Sequence, residues 1–224
     1  MPAYFKYTEE KLLAEVAAMR CISDNTTIPL PFILHYGMKE ESPGGLGSFI
    51  IMEWVENADP DIDEEKLRYT YNQMANVLLQ LSKCKLAAIG SLGFQDDEDN
   101  PKITKLPLSL NIARLVNFAR VPQFELPSST MTFTSSPKYC STLANMHLQQ
   151  LSFQRNQAVD SADDCRKNEF NPGPFKLWCD DLPPANVLLD KDDKIAAVFD
   201  WEFTYTAPAE FSFSPPLVAP SQGS

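Results

Sequence analysis

Apolar residues recur at helical spacing in three stretches of the chain and at strand spacing in several shorter ones. In "TEEKLLAEVAAMRCI", Leu12, Val16, Met19 and Ile22 fall on one stripe, so a helix is expected from Thr8, which can cap it. Glu15 lies inside that stripe, where a carboxylate must either find a partner or reach the edge and water. A second helix opens at Asp63 and continues through "EEKLRYTYNQMANVLLQLSKCKLA", with Leu67, Met74, Val77, Leu78 and Leu81 on its apolar side. A third spans roughly 137–155, with Leu143, Met146, His147 and Leu151 along one side.

The shorter runs read as strands. "PFILHYG" is extended, "EESPGGLG" punctuates it with a turn, and "SFIIMEWVE" returns as the second strand of a hairpin. "IGSLGF" (89–94) reads as a tight turn or small hairpin, and "QDDEDNPK" as a solvated acidic loop. "NVLLD" and "IAAVFD" are strand-like runs joined by the charged turn "KDDK". Residues 107–138, rich in Pro, Ser and Thr, give no clear pattern; 156–170 reads as a loop with a short helix, and the tail is expected to be poorly ordered after about Pro215.

Composition narrows the function classes. The apolar share of 44% over 224 residues is enough for a real core. A net charge of −11 argues against binding a nucleic-acid backbone and is compatible with a cationic ligand. No run can span a membrane, and the N-terminus lacks a basic start followed by an apolar segment. Five widely spaced cysteines, with no C-x-x-C, point to reduced thiols rather than a disulfide framework or zinc site, hence to the cytoplasm. His35 and His147 are the only histidines, too few for a histidine-based triad or metal centre.

The chemistry concentrates in "KLWCDDLPPANVLLDKDDKIAAVFDWEFTY" (176–205). In a two-strand hairpin, the residue before the first strand and the residue after the second lie at the same end, which puts Asn186 near Asp200. Asp181 precedes Asn186 by five positions, in the loop entering the hairpin. Such an arrangement suits phosphoryl transfer: one carboxylate orients the acceptor hydroxyl, while an amide and a second carboxylate hold Mg²⁺ against nucleotide phosphates. Asp190, Asp192 and Asp193 belong to the turn, where Asp serves the backbone, and Asp180 is expected to point away from Asp181. The bland alternative is that all of these aspartates only shape turns.

At these residues the sequence resembles the aminoglycoside phosphotransferase-like family of small-molecule kinases. "LWCDDLPPANVLLD…AAVFDWEF" is similar to the family's H-x-D-L-x-x-x-N-[VIL]-L followed by [VI]-[IV]-D-W-E, with Cys179 at the histidine position as in fungal-type branches. The resemblance implies a protein-kinase-like α+β fold: a partial N-lobe (1–56), a mostly helical C-lobe (57–214) and a tail (215–224). It implies ATP and Mg²⁺ as cofactors, a small-molecule hydroxyl as acceptor, Asp181 as catalytic base, and Asn186 and Asp200 as metal ligands. Trp201 and Glu202 complete an Asp-Trp-Glu. Glu15 is implied as the glutamate that pairs with a phosphate-binding lysine, and the backbone from Glu53 to Val55 as the adenine-binding hinge.

The family's nucleotide-covering hairpin and strand lysine have no counterpart ahead of Glu15, since Lys6 is too close in sequence, and the C-terminal pocket helices have none after "EFSFSPP". The expectation is therefore a chain cut short at both ends. A non-catalytic kinase-like remnant is the second reading. A metal-dependent phosphoester hydrolase using Asp180, Asp181, Asp200 and Glu202 is the third.

Overall fold

The computed structural model describes residues 8–58, 63–95, 100–109, 112–113, 115, 121, 123–153 and 173–213. The expected short helix in 156–170, the tail beyond 215 and Lys6 lie outside them.

Helix α1 (Thr8–Asn25) carries Glu9 and Glu10 in its first turn, where the exposed N–H groups favour negative charge. Its last carbonyls are met by side chains: Asn25 Nδ2 donates to Cys21 O at 2.8 Å and Thr26 Oγ1 to Ile22 O at 2.7 Å. Burial exceeds one stripe. Ala14, Ala17, Ala18 and Cys21 are buried along with Leu12, Val16, Met19 and Ile22. Strands β1 (Ile33–Gly37) and β2 (Phe49–Met52) then pair antiparallel as expected.

Helix α2 (Glu64–Lys83) is capped by Asp63, whose side chain accepts the Lys66 N–H at 2.9 Å. Its inward face is narrower than expected. Val77 and Leu81 are buried and Met74 and Leu78 pack beside them, but Leu67, in the first turn, is exposed.

The central sheet has three antiparallel strands in the order β3 (Lys85–Leu86), β6 (Phe175–Cys179), β9 (Thr204–Ala207). "IGSLGF" departs from its expected local turn. Ser91–Gly93 forms β4 and pairs antiparallel with β5 (Lys102–Lys105), beyond the acidic stretch in sequence. Gly90 bridges to Thr206, joining this ribbon to the central sheet. A Cβ at Gly90 would come within 2.7 Å of the Lys105 carbonyl oxygen, so only glycine permits the approach. Helix α3 (Ser136–Phe153) buries Tyr139 and Met146; His147 is half-buried at the edge of that face.

Two apolar clusters result. One joins α1 and α2 to Leu177, Cys179, Leu182, Val198 and Trp201; the other joins Ile89, Phe133, Tyr139, Phe175 and Tyr205. Cys21, Cys84 and Cys179 are free thiols, but Cys140 is disulfide-bonded, which corrects the expectation of reduced thiols throughout.

Candidate functional site

Strands β7 (Val187–Leu189) and β8 (Ile195–Val198) form the expected hairpin. Its turn is built by Asp190, whose Oδ1 accepts the N–H groups of Asp192 (2.8 Å) and Lys194 (3.0 Å). That is the backbone role expected of the turn aspartates. Gln73 of α2 clamps the same turn, donating to Asp193 O at 2.8 Å and accepting from Ile195 N at 2.9 Å. At the other side, Val198 N donates to Pro29 O at 2.9 Å and Ala58 N to Leu189 O at 2.8 Å. The hairpin is thus held from both sides, and its open end is fixed in space.

At that open end Phe199 N donates to Asn186 O at 3.0 Å, closing the ladder. The next residue, Asp200, has φ 62°, a left-handed conformation that Asp tolerates better than most residues. It turns the chain so that Trp201 enters the core, wholly buried, with its indole N–H on Val198 O at 3.1 Å. The Asp200 carboxylate is left facing the buried amide of Asn186, with Nδ2 to Oδ2 at 3.4 Å. Burial raises the Asp200 carboxyl above the usual range, and the neighbouring Glu202 and Asp181 carboxylates add to it; Lys11 pulls the other way. The Asp181 carboxylate thus acts on Asp200 through space.

Asp180 does point away from this group. It accepts from Trp178 Nε1 at 2.8 Å and from Tyr205 OH at 3.1 Å. Cys179, buried, donates its thiol to the Asp181 carbonyl at 3.5 Å, and burial pushes that thiol up to about 12. It stays protonated and helps hold the loop; it is not a nucleophile.

Glu15 reaches the site from α1. Its Oε1 accepts the Trp201 N–H at 3.3 Å. Burial raises its carboxyl to about 7, and the Asp200 carboxylate adds to the rise. An edge glutamate in water is therefore not what this residue is. The cation acting on it is Lys11, whose Nζ lies 2.7 Å from Glu202 Oε2 and 4.6 Å from the Phe203 ring centroid. Lys11 went unnoticed in the sequence. Its signal was the i, i+4 spacing to Glu15, which puts both on one helix face.

Glu53 and Val55 stand apart. The Glu53 carboxylate accepts the Phe32 N–H at 2.9 Å and the Glu53 N–H donates to Phe32 O at 2.9 Å, strapping the start of β1. Among the described residues, neither is hydrogen-bonded to the carboxylate group, and none is a hydrogen-bond partner of the Val55 N–H or the Glu53 carbonyl.

A family model described as the phosphotransferase enzyme family matches residues 2–213. The chain belongs to the phosphotransferase enzyme family. No curated protein matches it. Membership implies the kinase-like fold, and the helices and small antiparallel sheets among the described residues of this phosphotransferase-family chain are of that mixed α and β kind.

The donor set of the chain suits a small, hard divalent ion. Asp200 offers carboxylate oxygens beside the Asn186 amide, and a carboxylate raised by burial and by its acidic neighbours gains from a cation. Among the described residues no group of three His, Cys, Asp or Glu gathers around a metal-sized point. A site that takes one carboxylate and one amide, with phosphates and water completing the shell, needs no such group. The Asn186 amide donates to Asp200; rotated about its last bond, it would turn Oδ1 to the same point.

Proposed function

We propose that the chain is an ATP-dependent phosphotransferase of the aminoglycoside phosphotransferase type, acting on a hydroxyl of a small molecule. The observation that carries this is the meeting of Asn186 and Asp200 at 3.4 Å, with Asp181 acting on Asp200 from the loop before the hairpin. Asp181 is the base that orients the acceptor hydroxyl and takes its proton as the phosphoryl group moves from ATP to that oxygen and ADP leaves. Asn186 and the Asp200 carboxylate would hold Mg²⁺, which would offset charge on the phosphates. The Glu53 carbonyl and Val55 N–H, without a partner among the described residues, are suited to an adenine edge, and we infer that residues 1–56 and 57–214 are the two lobes on either side. The acidic balance of the chain is compatible with a cationic acceptor. Free thiols at Cys21, Cys84 and Cys179 fit the cytoplasm, where ATP is abundant; the disulfide at Cys140 is the observation against it. No described helix is long and apolar enough to cross a membrane.

The test is a calorimetric titration of Mg²⁺–ATP into the chain and into Asp200→Ala. Binding by the first and its loss in the second is the expected result. A second reading, a kinase-like scaffold without turnover, is favoured by one observation: Glu15 is bonded to a backbone N–H, and Lys11 is committed to Glu202. No stabilisation at millimolar nucleotide decides for that reading.

A further inference from the structure

Lys11 brings an ammonium from α1 into an otherwise acidic group. Its Nζ is ion-paired to Glu202 at 2.7 Å, sits over the Phe203 ring, and favours the ionised forms of both Asp200 and Glu15. Its side chain is only 17% exposed, and Glu202 is 33% exposed. For a pair this little exposed the cost of desolvating both charges offsets much of their attraction, so stability alone is a weak reason for the arrangement.

The charge balance gives a stronger one. Asp181, Asp200, Glu202 and Glu15 converge on this corner, and a nucleotide brings further negative charge. A divalent ion at Asn186 and Asp200 offsets part of it. Lys11 is the cation already standing beside those carboxylates. Lysine is a compact charge on a flexible four-carbon stem, able to move from a carboxylate to a phosphate oxygen without rebuilding the helix that carries it. We propose that Lys11 is the phosphate-contacting residue of the site, its ammonium exchanging the Glu202 carboxylate for a nucleotide phosphate oxygen. This rests on the nucleotide reading given under Proposed function.

Binding of ATP and of adenosine, each with Mg²⁺, is compared by calorimetry in the unmodified chain and in Lys11→Met, Lys11→Arg and Glu202→Gln. The expected result is a loss of about ten- to hundredfold in ATP affinity in Lys11→Met, with adenosine unchanged and partial recovery in Lys11→Arg. Glu202→Gln releases the ammonium and binds ATP as tightly or more so. Equal weakening of ATP in Lys11→Met and Glu202→Gln overturns the proposal, because Lys11 then acts only by anchoring Glu202. Unchanged ATP affinity in Lys11→Met overturns it too. Should Lys11→Met not fold, the Glu202→Gln arm decides alone: weaker ATP binding overturns the proposal, while equal or tighter binding supports it. If Asp200→Ala abolishes ATP binding while Lys11→Met does not, only this inference fails. If the unmodified chain binds no ATP, the nucleotide reading fails with it.

Discussion

The Asn186 amide and the Asp200 carboxylate, fourteen positions apart in sequence, face each other at 3.4 Å across the open end of the β7–β8 hairpin. The amide lends a donor to a half-buried carboxylate already crowded by Glu202 and Asp181. Asn186→Asp replaces that donor with another negative charge. The expected cost is about 1–3 kcal/mol without metal, or roughly 2–9 °C in melting temperature. Mg²⁺ should then restore more stability to the variant than to the unmodified chain. An unchanged melting temperature with no Mg²⁺ response would show that no ion rests there.

Asp181 projects from the loop before the hairpin and acts on Asp200 only through space. Asp181→Asn keeps the shape and removes the proposed base. Mg²⁺–ATP affinity should stay within about twofold, while phosphoryl transfer falls by roughly 10²–10⁴. Full activity in this variant would remove Asp181 from the mechanism.

Asp180, its neighbour, gives the contrast. Its Oδ1 takes hydrogen bonds from Trp178 and from the buried Tyr205 hydroxyl. Asp180→Ala strands both donors, at about 1–3 kcal/mol, and should leave nucleotide affinity alone. The hydrolase reading needs Asp180 beside Asp181 as a working carboxylate, and it gains support only if Asp180→Ala destroys activity without loss of stability.

The elements with strong local signals were legible in sequence. Asp63 announced its helix by capping chemistry, and the stripe of Leu12, Val16, Met19 and Ile22 announced α1. The hairpin could be placed because its two strands are short and its turn is rich in Asp. The proximity of Asn186 to Asp200 followed from hairpin geometry alone. What could not be read depended on contacts distant in sequence. "SLG" pairs with 102–105 beyond an acidic stretch that looked like mere solvent-facing charge. Glu15 meets Trp201 across 186 positions, and Lys11 meets Glu202. Periodicity marks Glu15 as out of place without saying what it touches. The Cys140 disulfide was missed because wide spacing carries no pairing signal.

Gln73 is the tie between α2 and the hairpin turn, with both ends of its amide used: Nε2 on Asp193 O and Oε1 on Ile195 N. Gln73→Ala loosens the turn far from the carboxylates. The expected cost is about 1–2 kcal/mol by thermal melt, with weaker Mg²⁺–ATP binding because the hairpin's open end is less well fixed. If stability falls and affinity does not, the open end is positioned by its contacts with Pro29 and Ala58 instead.

Glu15 ties the acidic group to the pH dependence of folding. Its carboxyl is raised from 4.5 to about 7, first by burial and then by Asp200. The folded chain therefore holds this proton between those values where the unfolded chain has released it. Below about 4.5 both states are protonated and the full stability is present; as pH rises through about 7 the folded state must carry a partly buried charge, and stability is lost. The rise from 4.5 to about 7 corresponds to roughly 3–4 kcal/mol as a ceiling, lowered by the water the residue still reaches. Glu15→Gln removes the charge. It should stabilise the chain by about 1–3 kcal/mol at pH 8 and by almost nothing at pH 4.5. Urea midpoints at the two pH values measure the difference. Mg²⁺ bound as proposed should act in the opposite sense, since a cation at Asp200 favours the ionised form of both carboxylates. Saturating Mg²⁺ should shrink the advantage of Glu15→Gln at pH 8, and an advantage that is the same at both pH values would show that Glu15 is not held protonated by this corner of the fold.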